Sequence, residues 1–313
     1  MIRGRPRLVV LRALKLGDFL VAVPALRALA RAFPDHERVL AAPAWLEPLA
    51  GHAGVVDRLV DTPNLDFLNP SLNGADVAVN LHGSGPQSTA LLAASNPTQL
   101  ISYGLAGGPA WQEQEHQRDR WCRLLRAYDI PAAADDFRLD APDVDPPPAA
   151  VGATLLHPGA SSEARRWPAA RWVAVARAET GAGRPVVLTG DTTEVGLATE
   201  IASYAGLHPS AVLTGHTNLL EILAAVAASG RVVCGDTGLA HVASAMGTPS
   251  VVLFGPTSPA VWGPPKTGPH TVLWNGRTGN PHATETDPGL LAITVDDVLQ
   301  ALGSLALSVQ ARG

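Results

Sequence analysis

The segment Gly235-Asp236-Thr237-Gly238-Leu239-Ala240-His241 sets glycines, a carboxylate, a hydroxyl and an imidazole between two apolar runs. Arg231 to Cys234 reads as a buried parallel strand and Leu239 to Met246 as a helix of small residues, with a break at Thr248-Pro249 before a further strand, Ser250 to Phe254. In such a β-loop-α-β unit the free N–H groups at the helix start, with the positive end of the helix dipole, favour an anion such as a diphosphate. Thr237, Gly238 and the glycine at 235 let that anion approach the backbone. Asp236 or Thr237 could equally do no more than cap the helix. A carboxylate repels a diphosphate, so Asp236 is assigned to sugar hydroxyls or to capping the loop. His241 lies within the helix, where a histidine is as well explained by core packing.

Other polar groups stand at corresponding points. Asp18 follows Leu16-Gly17 at the end of the first strand-to-helix loop, where it is either an acid-base group or an N-cap. Lys15, just before it, either touches a substrate or lies in solvent. His157-Pro158-Gly159-Ala160-Ser161-Ser162 ends a strand with a glycine and two hydroxyls, a composition suited to phosphate, and the Arg165-Arg166 pair follows. Glu194 comes just after the strand Pro185 to Thr189, the place from which nucleotide-binding folds grip ribose hydroxyls. A helix-start glutamate favoured by the dipole explains it equally well. Gly215-His216-Thr217-Asn218 precedes another helix and could line a base pocket. His82-Gly83-Ser84-Gly85-Pro86-Gln87-Ser88 ends a strand of the first half, as a sugar or acceptor contact or as a plain glycine turn. Arg118, Arg120, Arg123 and Arg126 could meet an acidic partner, but Glu113, Glu115 and Asp119 dilute them and they read rather as a solvated helix face.

These residues sit on alternating strands and helices in two blocks. The first runs Arg7 to Leu11, helix Asp18 to Ala32, then strands Arg38 to Ala41, Asp57 to Val60, Asp76 to Leu81 and Gln99 to Tyr103, and a helix Gln117 to Ala127. The second runs strand Ala153 to His157, helix Ala169 to Thr180, strand Pro185 to Thr189, helices Thr193 to Ala205 and Leu219 to Ser229, and then the unit described first. This alternation predicts an α/β protein of two Rossmann-like, doubly wound parallel sheets, with ligands at the carboxyl ends of the strands. The proline-rich Asp140 to Ala150 reads as a stiff linker. The expected domains are therefore 1–147 and 148–313, with a last helix, Val295 to Leu307, that could pack back on the first.

Taken together, L-G-D at 16 to 18, H-P-G-A-S at 157 to 161, R-R-W-P at 165 to 168, G-D-T-G-L-A-H at 235 to 241 and G-T-P-S-V-V-L-F-G-P-T at 247 to 257 resemble glycosyltransferase family 9, the ADP-heptose:acceptor heptosyltransferases. The resemblance runs from about Leu8 to Gly263. It implies the GT-B arrangement, two domains facing across a cleft with 1–147 as the acceptor side and 148–313 as the nucleotide-sugar side, and an inverting, metal-independent transfer of a sugar, a heptose from ADP-heptose, to an acceptor hydroxyl. No cofactor is implied beyond the nucleoside-diphosphate sugar itself, and no metal. By the same resemblance Asp18 is the general base. Ser161, Arg165 (where the family usually has lysine), Glu194, Thr217, Asp236, Thr237, Gly238 and His241 are on the donor side. Lys15, Gly17, His82, Ser84 and Gln87 are on the acceptor or sugar side. Arg12-Ala13-Leu14-Lys15 replaces a serine pair frequent in the family.

The resemblance implies a nucleotide-sugar donor and a glycan or small-molecule acceptor as partners, and composition excludes others. The net charge of −5 over 313 residues opposes a nucleic-acid footprint, and no apolar run approaches the ~20 residues of a bilayer span. The two cysteines, Cys122 and Cys234, form neither a zinc motif nor a disulfide framework. The basic Met1 to Arg7 runs straight into a strand, so a cytoplasmic location is expected. Two other classes remain: a sugar-nucleotide epimerase or phosphorylase of the same fold, which would turn over donor without a hydroxyl acceptor, and a noncatalytic sugar-nucleotide binder, which would never turn it over.

Overall fold

The computed structural model describes residues 5–310. Part of the basic Met1 to Arg7 stretch, residues 1–4, lies outside the described residues, as do 311–313. The chain divides into two compact units, 1–137 and 138–313.

The first unit is a five-stranded parallel sheet of β1 (Arg7–Leu11), β2 (Glu37–Ala42), β3 (Arg58–Asp61), β4 (Val77–Asn80) and β5 (Gln99–Ile101) in the order β3-β2-β1-β4-β5. Its helices are α1 (Leu16–Ala32), α2 (Glu47–Ala53), α3 (Gln87–Ala94) and α4 (Gln117–Arg126). A parallel sheet is covered on both faces, so its central strands carry unbroken apolar runs. Leu8 to Leu11 and Val39 to Ala42 are accordingly buried. Helix α1 starts at Leu16, two residues before the expected Asp18, and Lys15 is its N-cap without a side-chain cap. Asp18 thus stands in the first turn of the helix, not at the cap, and its side chain is released from capping.

The second unit repeats the plan with β6 (Thr154–His157), β7 (Val186–Leu188), β8 (Arg231–Gly235), β9 (Ser250–Phe254) and β10 (His270–Trp274), all parallel, in the order β10-β9-β8-β6-β7. Around them lie α5 (Ala169–Gly181), α6 (Val195–Ala205), α7 (Leu219–Ala228), α8 (Gly238–Met246), α9 (Pro259–Trp262), α10 (Pro288–Leu291) and α11 (Val295–Gln310). Gly247, at φ 73°, closes α8 in a left-handed turn that lets Thr248-Pro249 lead into β9.

Two expectations about domain limits change. The stretch 138–150 belongs to the second unit rather than to a free linker. There the Leu139 N–H donates to the Ala245 carbonyl at 3.1 Å, an Arg138 guanidinium nitrogen donates to the Ser244 carbonyl at 3.2 Å, and Leu139 is buried. Prolines keep such a segment out of a sheet without keeping it off a surface. The last helix, α11, places Val298, Ala301, Leu302 and Leu305 in the second unit's own core beside Trp172, Val251 and Leu253.

Glu179 on α5 is the most deeply buried carboxylate of the second unit among the described residues. Its carboxylate accepts from Thr154 Oγ1 at 2.5 Å and from the Arg184 Nε at 2.9 Å, and lies 3.2 Å from an Arg231 guanidinium nitrogen. Burial alone would raise its pKa, but the hydrogen bonds from Arg184 and Thr154 and the charge of Arg231 outweigh it and hold the group below the ordinary carboxylate value. Glu179→Gln is expected to cost about 3 kcal/mol in urea melts at pH 7, the scale for breaking a buried pair. A depressed folded pKa contributes stability above the unfolded value, near 4.3, and loses it as pH falls through the lower folded value. The gap between parent and Glu179→Gln should therefore close toward pH 3, and a gap that widens there would refute the assignment.

Candidate active site

In an open parallel sheet, ligands bind beyond the carboxyl ends of the strands, where the strand order reverses and the flanking loops part. The first sheet reverses between β1 and β4, and the second between β6 and β8. The residues singled out from sequence cluster at these two edges.

At the β1/β4 edge, Arg12 follows β1 and is 1% exposed. Its Nε donates to the Asp18 main-chain carbonyl at 2.5 Å, one terminal nitrogen donates to the Leu81 carbonyl, and the other lies 3.5 Å from Asp18 Oδ1. Burial pushes the Arg12 pKa down to about 10, which leaves it cationic at neutral pH. His82, just past β4, has its N–H fixed by Asn80 Oδ1 at 3.0 Å. Burial first, then the Arg12 charge, hold its imidazole below the ordinary histidine value, with Asp18 pulling weakly the other way, so the ring is neutral at pH 7. Asn80 in turn donates to Ser88, Thr89 and Ser102 at 3.0 to 3.1 Å, which sets the loop that carries His82. Lys15, Ser84 and Gln87 are exposed at the same edge, and Gly17 is buried under the first turn of α1.

At the β6/β8 edge, Arg165 donates to the Asp236 carbonyl and lies 3.2 Å from Asp236 Oδ2, while its other terminal nitrogen reaches Ser161 Oγ at 3.4 Å. Asp236 is therefore a counter-ion of Arg165. The Arg165 Nε and Thr237 Oγ1 are buried without a protein hydrogen-bond partner. Both flank the start of α8 at Gly238, whose N-cap Thr237 makes no side-chain cap. Arg166 donates to Glu163 and, at 3.2 Å, to the Ala160 carbonyl.

Glu194 is buried rather than a surface residue, and it shares a capping box with Asp191, whose N–H donates to Glu194 Oε2 at 3.0 Å. Its pKa is raised, by burial first, against that N–H. The carboxylate lies over Gly159 and Gly190, where a Cβ would come within 1.9 Å and 2.6 Å of its oxygens, so both glycines are required for this approach. The loop before α7 joins them, since the Gly215 N–H donates to the Gly190 carbonyl at 3.1 Å, and this brings Thr217 to the same edge, partly exposed. His157 is half-buried, 3.2 Å from Thr189 Oγ1, and desolvation pushes its pKa to about 4, so it is a neutral floor to the edge. His241 is buried in α8, edge-on to Trp262 at 5.9 Å, a packed ring as the core reading had it.

Sequence reading missed Arg12 and mistook the α4 arginines for a solvated face. The signal for Arg12 was a lone charge closing an apolar run, Arg7 to Leu11. On α4, Arg120 is buried with its guanidinium 4.0 Å from the Trp111 ring, Arg118 stacks on Phe137 at 4.4 Å, and Arg123 pairs with Glu115 at 2.7 Å. Planar guanidinium groups can be packed on aromatic faces, so four arginines on one helix do not by themselves mean solvent.

Two parallel-sheet α/β units with polar edges at the strand reversals define a protein of the GT-B class. Residues 97–290 match the family described as glycosyltransferase family 9 (heptosyltransferase), and the chain belongs to that family. Lipopolysaccharide heptosyltransferase 1 of Pseudomonas aeruginosa is 32% identical over 174 residues, 54% of this chain and 48% of the relative. Lipopolysaccharide heptosyltransferase 2 of Escherichia coli is 31% identical over 167 residues, 49% of this chain and 47% of the relative. The chain thus spans about half the length of the curated relatives it matches. Among solved structures, the ADP-heptose lps heptosyltransferase II of E. coli superposes with a TM-score of 0.76 at 23% identity, over 97% of this chain and 99% of that one. A glycosyltransferase family 9 protein of Veillonella parvula gives 0.76 at 19% identity over 98% and 99%. These two likenesses establish the fold.

Arg165→Ala is expected to weaken calorimetric binding of a nucleoside diphosphate by about 10-fold or more, the loss of one charge-assisted hydrogen bond. Arg166→Ala, whose side chain is engaged by Glu163, should change it less than about threefold on the same scale. Equal losses would place the anion elsewhere.

Proposed function

We propose that the protein is an inverting, metal-independent glycosyltransferase that moves a heptose from ADP-heptose to a hydroxyl of a glycan or small-molecule acceptor. The observation that carries this reading is a pair of oppositely presented Arg–Asp contacts. At the first edge the cation is buried and the carboxylate open, with Arg12 1% and Asp18 24% exposed. At the second edge the carboxylate is buried and the cation open, with Asp236 8% and Arg165 24% exposed. One unit therefore offers a base and the other an anion site, the two services that transfer from a nucleoside diphosphate requires. Membership of family 9 and the likeness to lipopolysaccharide heptosyltransferases support heptose as the transferred sugar.

In this mechanism the Asp18 carboxylate takes the proton of the acceptor hydroxyl as its oxygen attacks the anomeric carbon. The bond from that carbon to the diphosphate oxygen breaks, the electron pair leaves with the nucleotide, and the configuration at carbon inverts. Charge growing on the leaving diphosphate is met by Arg165, Ser161 and the N–H groups at the start of α8. Glu194 and the loop at Thr217 hold the nucleoside, and Lys15, His82, Ser84 and Gln87 line the acceptor side. No helix among the described residues is long and apolar enough to cross a membrane.

The test is release of ADP from ADP-heptose with a heptose-free lipopolysaccharide core oligosaccharide as acceptor, with the product's anomeric configuration read by NMR. Asp18→Asn should lower the rate ~10²-fold or more while leaving ADP binding within about twofold. Parental rates in that variant would end the base assignment. ADP-heptose converted to an altered free sugar with no acceptor present would favour an epimerase. Because fixed protein charges serve the diphosphate, 5-fold or greater loss of rate in EDTA, restored by magnesium, is not expected, and observing it would overturn the metal-free mechanism.

A further inference from the structure

Arg12 joins four separate segments of the first unit. It follows β1, its Nε holds the Asp18 carbonyl in the first turn of α1 at 2.5 Å, and a terminal nitrogen holds the Leu81 carbonyl beyond β4. The fourth segment is α4, whose buried Trp121 ring lies over the guanidinium, 4.9 Å from Cζ to the ring centroid. The remaining terminal nitrogen lies 3.5 Å from Asp18 Oδ1. Among the described residues, Asp18 is the carboxylate that this buried cation pairs with. A first-turn aspartate on a helix surface has several rotamers open to it, and its carboxylate here is only partly covered.

We infer that Arg12 is the positioning residue of Asp18, its planar fork clamping the main chain and the carboxylate of one residue while Trp121 closes over it. The inference rests on the reading of Asp18 as the base. Two donors of one rigid plane, one on the Asp18 carbonyl and one toward its Oδ1, fix both the place of the first turn and the direction of the side chain. The bond to Leu81 keeps that plane from rotating, and the Trp121 ring blocks the other exit for the guanidinium. A lysine could supply the charge to one oxygen but not the fork. Arg12 itself lies too deep to touch an acceptor, so its effect must pass through Asp18.

A double-mutant cycle on the full chain tests this. ADP release from ADP-heptose is measured with the core oligosaccharide as acceptor, and with water in its absence, for Arg12→Lys, Arg12→Met and Trp121→Leu, each alone and combined with Asp18→Asn. Melting curves identify folded variants, and ADP affinity is measured by calorimetry. The expected result is a kcat lowered about 10-fold by Arg12→Lys and about 10²-fold by Arg12→Met, the scale of a displacement near 1 Å, with ADP affinity and donor KM within about twofold. In the Asp18→Asn background the same changes should cost less than about twofold more, because residues that act as a unit are not additive. Parental kcat in folded Arg12→Lys, or an equal loss in both backgrounds, would overturn the inference. Should Arg12→Met fail to fold, Arg12→Lys and Trp121→Leu carry the same comparison. Asp18→Asn transferring at the parental rate would defeat the base reading, and this inference with it; an impaired Asp18→Asn beside unaffected Arg12 variants would defeat the positioning role alone.

Discussion

Parallel pairing forces every strand of a sheet to end at the same edge, and a reversal of strand order opens a gap between neighbouring loops at one point on that edge. Both units obey this constraint, at β1/β4 and at β6/β8. Elsewhere the central strands are largely buried on both faces. At the reversals the loops diverge, so Arg12, Asp18 and His82 in one unit, and Ser161, Arg165 and Asp236 in the other, can stand beside apolar strands without interrupting a ladder.

The two sheets put the same pair of residue types to opposite uses. An arginine buried at a strand end carries a desolvation cost, visible in the lowered pKa of Arg12, which is offset by carbonyl acceptors, an aromatic ring and one carboxylate. That leaves the carboxylate as the exposed partner. At the second edge it is Asp236 that is buried, and it holds the Arg165 guanidinium in place without covering its Nε with a protein acceptor. Burial of one partner therefore sets which sign of charge each edge presents.

Neutral histidines complete both edges. His157 and His82 are kept uncharged mainly by burial, so neither adds a cation that would compete with Arg165 or Arg12. Glycines do the corresponding steric work: Gly159 and Gly190 lie under the Glu194 carboxylate, where any side chain would displace it.

Periodicity and short motifs were enough to read the two-sheet α/β class and nearly all central strands, because a parallel strand must be an apolar run bounded by turn residues. Ser250 to Phe254 needed no correction, and Asp18, Arg165 and Glu194 were legible from their places after strands. Edge and short elements were not. β10 is half-buried at a sheet edge, and α2 and α3 are short helices whose apolar residues do not repeat over enough turns to stand out. The boundary at 137 was illegible too, since a proline-rich segment looks the same whether free or bonded to Ser244 and Ala245. What sequence determined by itself was which residues stand at the carboxyl ends of strands, for that depends on local pattern. Tertiary structure alone decided which of them pair. Arg12 meets Leu81 and Trp121, and Arg165 meets Asp236, only once segments distant in sequence lie side by side, and burial then selects which partner of each Arg–Asp pair is left facing solvent.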